Sequence, residues 1–135
     1  KSILKTNKTM SYTNASNLGV QHNEWLRKLE FYKEDLDILE KRLLEVSDKN
    51  TSTEARAGIE HFQNQFMIQR KNISELKHVI KRHTHQVFED VKEHAGRVEE
   101  IQIGDHQKID EDVTQFEKTI NELRQEFNLF LTKWM

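Results

Sequence analysis

The chain has no cysteine and no proline. Without cysteine there is no disulfide framework, no iron–sulfur cluster and no thiol nucleophile. Without proline, nothing forces a helix to break. Glycine is scarce, at four residues in 135, so few positions have the backbone freedom a tight turn favours. No apolar run approaches the roughly 18–20 residues that cross a bilayer. An excess of charge is missing as well. Twenty-one Lys+Arg against 23 Asp+Glu leave a net charge of −2, and no basic stripe is visible, so the phosphate neutralisation behind most nucleic-acid affinity has no footing. Gly-rich phosphate loops, a Gly-x-Ser-x-Gly elbow and His-Glu-x-x-His are all absent. The chain is therefore expected not to be an enzyme, to need no cofactor, and to engage neither nucleic acid nor membrane. The N-terminal residues lack the apolar core of a secretion signal, so the expected location is cytoplasmic. The four Asn-x-Ser/Thr triplets, at Asn7, Asn14, Asn50 and Asn72, then read as chance. The chain opens on Lys1 rather than Met, which leaves room for a natural chain that begins earlier.

What is present is charge and helical period. Hydrophobic residues make up 35% of the chain and charged residues 33%, a balance suited to long amphipathic helices that bury a narrow stripe. Residues 1–16 are rich in Ser, Thr, Asn and Lys without periodicity and read as a flexible arm. Three segments then carry apolar residues at alternating steps of four and three, the seam pattern of packed helices. The first is Leu18, His22, Trp25, Leu29, Tyr32, Leu36, Leu39, Leu43 and Val46. The second runs from Ile59, Phe62, Phe66, Gln69, Ile73, Leu76 and Ile80 through His83 or Thr84 to Val87, Val91, His94, Val98 and Ile101. The third is His106, Ile109, Val113, Phe116, Ile120, Leu123, Phe127, Phe130 and Trp134. Thr51 and Glu54 have capping-box spacing ahead of the second segment. Gly104, followed by Asp105, is the better turn signal of the two late glycines.

The expected fold is an all-α antiparallel bundle of three helices with coiled-coil-like packing, near 17–48, 52–103 and 105–134, in one domain over 17–135. A kink in the second helix near 80–96 would make it a four-helix bundle instead. Trp25, Leu29, Leu36, Leu43, Phe62, Ile73, Ile80, Val87, Phe116, Ile120, Leu123 and Phe127 are the expected core. Leu26, Phe31, Ile38, Met67, Ile68, Val79 and Phe88 fall beside the seams and predict that each helix meets more than one neighbour. A second helix of about 50 residues would outrun both partners and leave seam open at its ends.

Seven histidines occur, four of them between residues 75 and 94. On a helical wheel His78 and His85 lie opposite the apolar stripe, while His83 and His94 lie on it. Glu75-x-x-His78 matches an element of ferritin-like di-iron bundles but points outward and occurs once. His22, His83, His94 and His106 sit on seams. With the turn at Gly104, antiparallel packing sets His94 opposite about residue 114, so these four do not converge. The expectation is hydrogen-bonded seam histidines and no metal, and His22, His83, His94 and His106 are the ligands should a metal be held.

"WLRKLEFYKEDLDILEKRLLEVSDKNT", "EHFQNQF", "ELKHVI" and the closing "FNLFLTKWM" resemble a group of small uncharacterised all-helical bacterial proteins. The resemblance covers about residues 22–135 and implies a fold without a site. "HTHQVFEDVKEHAGRVEEI" is similar to the middle helix of spectrin-type repeats, a likeness of coiled-coil grammar. The expected function is that of a non-catalytic helical module for protein–protein contact or structure, pairing with itself as a homodimer or with another helical protein. The alternative is a metal-carboxylate or metal-histidine four-helix bundle of ferritin- or haemerythrin-like type.

Overall fold

A computed structural model describes the backbone of residues 2–93 and 100–135 and the side chains of residues 17–93 and 102–135. Three helices make up the described chain: α1, Ser2–Lys49; α2, Thr53–Glu93; and α3, Glu100–Trp134. No strand occurs among the described residues, and the three helices pack into an all-α bundle.

The seams decide what is buried. All nine first-segment positions from Leu18 to Val46 are buried, and so are all twelve expected core residues. In the second segment the seam passes through His83, which is 2% exposed, and leaves Thr84 exposed. The flanking positions behave differently. Phe31, Ile38, Met67, Ile68 and Phe88 are between 48% and 62% exposed, whereas Leu26 and Val79 are half-buried, so the chain uses the wider stripes only at those two. Three helices need only one seam each to close a core. Gln69, the amide on the α2 seam, is 3% exposed and accepts from Asn72 Nδ2 at 3.3 Å.

Three boundaries differ from expectation. α1 is helical from Ser2, inside the residues assigned to an arm; a missing apolar stripe removes a reason to pack, not the capacity for helical backbone. The cap of α2 is Ser52 rather than Thr51: its Oγ accepts from the amide of Ala55 at 3.1 Å, satisfying one of the free N–H groups of the first turn. Glu54 instead pairs with Lys133 on α3. Finally, α3 already runs through Gly104, which is exposed with open space around it, so the turn signal there goes unused. Gly96, His94, Val98 and the proposed end of α2 at 103 are affected accordingly: His94, Gly96 and Val98 lie outside the described residues. α2 is one uninterrupted helix up to Glu93, and no fourth helix arises among the described residues.

The chain divides into two compact units, each drawing a section from all three helices: residues 1–28 with 76–113, and residues 29–75 with 114–135. In the second unit α1 and α2 run antiparallel, with Arg70 bridging Glu40 at 2.7 Å and Asp37 at 2.5 Å. Tyr32 donates to Glu117 Oε2 at 3.2 Å, and Asn50 Nδ2 donates to the carbonyls of Val46 and Trp134 at 3.0 and 2.9 Å. Its core is aromatic: Phe127 stands 5.1 Å from both Phe62 and Phe66, ring centroid to centroid. Phe130 lies against the α2 backbone at Gly58, where a Cβ would run into its ring. In the first unit Leu18 and Val87 form a buried pair with Val91 and Ile103 packed on it. In each unit, then, the α2 section has both α1 and α3 against it. Among the described residues, which for α2 end at Glu93, the seam has partners in both units.

Candidate metal centre

His22, His83 and His106 occupy seam positions on α1, α2 and α3. A seam position points at the other two helices, so three histidines at one level have no alternative but to meet. They are 2%, 2% and 6% exposed. His22 Nε2 lies 3.0 Å from His83 Nδ1 and 3.3 Å from His106 Nδ1, and one nitrogen from each ring lies within 4.8 Å of the others. Trp25, one turn after His22, covers the group from α1, with its ring centroid 4.5 Å from that of His106 and 5.5 Å from that of His22.

The outer nitrogens determine what the inner ones are. His83 Nε2 lies 2.9 Å from the backbone carbonyl of Gln102, which can only accept, so His83 carries its hydrogen on Nε2. Thr84 Oγ1 donates to the carbonyl of Ile80 at 2.8 Å; its hydrogen is thereby used, and at 2.9 Å it accepts from His22 Nδ1. His106 Nε2 meets the side-chain oxygen of Gln21 in a short hydrogen bond, so it too is the donor. A neutral imidazole has one N–H and one lone pair. With all three outer nitrogens protonated, His22 Nε2, His83 Nδ1 and His106 Nδ1 are three lone pairs directed into one small space.

Three converging lone pairs repel one another unless an electron-pair acceptor stands between them. A proton is disfavoured here. Burial, then the proximity of His83, then that of His106 bring the His22 pKa down from 6.5 to about 4. Burial and His83 bring His106 to about 4 as well, against the opposing pull of Asp110. A metal ion suits the geometry better. Tetrahedral Zn–N bonds of about 2.0–2.1 Å put ligand nitrogens about 3.3 Å apart, close to the 3.0 and 3.3 Å found. Ligating histidines also bind an acceptor through their other N–H, which fixes tautomer and ring orientation; Thr84, Gln102 and Gln21 do this here.

Of the four fallback ligands named from sequence, the structure thus joins His22, His83 and His106, and His94 lies outside the described residues. His78 and His85 are exposed on the opposite face, as the wheel placed them. The three outer acceptors escaped the sequence reading. Thr84 carries a signal only as a possible seam position, and Gln21 and the Gln102 carbonyl carry no signal in one dimension. No carboxylate belongs to the cluster among the described residues, which separates it from the carboxylate-rich di-iron pattern. No family model, curated protein or solved structure matches the chain.

Proposed function

We propose that the protein is a metal-holding helical bundle in which His22, His83 and His106 each give one imidazole to a divalent transition ion, zinc before others. The observation that carries this is the set of outer hydrogen bonds, which leaves three inner lone pairs facing one another. Imidazole donors suit zinc, copper, iron and nickel, and three histidines with a fourth position for water form a known zinc arrangement. The ion takes one side chain from each of three helices, so binding it and holding the bundle together are one event. Equilibrium dialysis of tag-free, chelator-treated protein should show one zinc per chain. Tightly bound zinc at 100 times its Kd should stabilise the fold by about 2.7 kcal/mol. Cobalt(II) in its place should develop the intense visible absorption of a tetrahedral site. Each of His22→Ala, His83→Ala and His106→Ala should remove that absorption while His85→Ala retains it. Equal binding by the His22→Ala and His85→Ala proteins would defeat the assignment.

A second reading, contact with another copy of this chain, has one observation behind it. Phe31 and Ile38 lie seven residues apart on one face of α1 and are 56% and 58% exposed. If this stripe pairs two chains, light scattering across a hundredfold range of concentration should show dimer at the upper end, and Phe31→Lys should return it to monomer. A monomer throughout would remove the reading.

A further inference from the structure

Two clefts flank the histidine centre, and each has one of its histidines in the wall. The cleft of about 410 Å³ beside His106 is lined by Asn17, Leu18, Gln21, Ile103, Gln107, Asp110 and Glu111. The cleft of about 360 Å³ beside His83 includes Arg82, Lys108, Asp105 and Asp112. Their volumes are similar, and each has room for an ion that still carries water at about 30 Å³ per molecule. Their charges differ. The first has two carboxylates and no cationic side chain. The second sets two cations against two carboxylates, with Lys108 held to Asp112 at 2.6 Å.

Given the metal reading above, on which this rests, we infer that the divalent ion enters through the cleft beside His106, drawn in by Asp110 and Glu111 and passed inward by Gln21. The cleft alone would be only an acidic surface. What gives it a destination is the triad behind it, at least nine-tenths buried, with three lone pairs that the protein leaves without a hydrogen. Asp110 is one turn after His106 on α3, and its field is felt at that ring. Gln21 lines the cleft and at the same time holds His106 Nε2 through its side-chain oxygen. Oxygen donors thus run from the mouth to the outer edge of His106. An incoming cation exchanges water first for the exposed carboxylates and then for the Gln21 amide oxygen; the lone pair it seeks is on Nδ1, across the ring from the Nε2–H that Gln21 holds, so the His106 ring turns to receive it. Concave walls bearing one sign of charge raise the local concentration of a counter-ion and its on-rate. The cleft beside His83 has no such excess, and Arg82 there opposes a cation.

The test is rapid mixing of the full chain with zinc alone, read by competition with a chromophoric chelator. Asp110→Asn combined with Glu111→Gln should slow association about fivefold at low salt and leave dissociation unchanged. The difference should shrink toward 1 M salt, where charges are screened within about 3 Å. Asp105→Asn, in the other cleft, should leave association at the wild-type rate. Gln21→Ala should slow association and speed dissociation together, since it also frees His106. All these positions except His106 itself are exposed or half-exposed, and unchanged circular dichroism verifies the fold. Normal zinc binding with an unslowed Asp110/Glu111 variant overturns the entry route and leaves the metal centre standing. Absence of zinc binding in the wild-type chain overturns both.

Discussion

Chelator-treated protein should lose several kcal/mol of stability between pH 6.5 and about pH 4, with melting temperature falling steeply across that interval. The cause is the difference in proton uptake between folded and unfolded chains. Once unfolded, His22 and His106 titrate near their ordinary value of 6.5; in the bundle both resist protonation until about 4. Above 6.5 the residues are neutral in both states, so they contribute no pH dependence. Below it the unfolded chain binds protons that the folded chain refuses, and stability falls with pH until the folded form also takes them up. Each unit of separation is worth about 1.4 kcal/mol per group, and the two groups act together against a total stability on the order of 5–15 kcal/mol. Charged neighbours do little to offset this: Asp110 alone pulls His106 the other way. Thermal melts at half-unit pH steps on the wild-type and on a His22→Leu/His106→Leu variant provide the measurement. The variant should have a visibly flatter profile. Parallel profiles would show that the buried imidazoles are not the source of acid sensitivity.

A second large effect is expected from Phe127→Ala, a loss of about 3–5 kcal/mol. Phe127 and Phe66 are both 0% exposed, and Phe127 touches rings on its own helix and on α2: Phe62 and Phe66 at 5.1 Å and Phe130 at 6.1 Å. Truncation removes a fully buried ring and strips three others of a neighbour, so the cavity cost adds to the lost burial. Leu129, two residues on, is 74% exposed and supplies the control: Leu129→Ala should change stability by no more than about 0.5 kcal/mol. Urea unfolding should show the Phe127→Ala midpoint shifted at unchanged slope, since a changed slope would signal a different denatured or native state. Equal losses in the two variants would contradict the packing described.

The seam residues were legible because burial in a helical bundle repeats every three or four residues. Leu29, Leu36 and Phe127 declare themselves by spacing alone. The histidine centre was legible only in part, and the reason is register. Placing the turn at Gly104, which lies inside α3, slides α3 along α2, and each residue of error in a turn displaces every facing pair by two. That slip is enough to part His83 from His106, which the structure sets at one level. Glycine could not decide the matter. Gly104 is tolerated inside α3 because it faces open space, at a helix-propensity cost of about 1 kcal/mol, so a glycine followed by an acid looked like a stop and was not one. The outer acceptors were hidden for a different reason: a backbone carbonyl such as that of Gln102 is present at every residue, and only the fold selects which one a histidine meets.

That each helix gives a single histidine also determines how the chain can gain or lose residues. One residue inserted between His22 and Trp25 turns the two ends of that stretch about 100° out of phase, and a whole heptad, though it nearly restores the phase, carries the indole about 10 Å along the axis and away from the histidines. The connection at residues 50–52 follows a different rule. Thr51 is exposed and the cap is on Ser52, so lengthening the link at Thr51 costs only about 0.6 kcal/mol for each doubling of the loop. Within the helices length is counted in turns, and between them it is almost free.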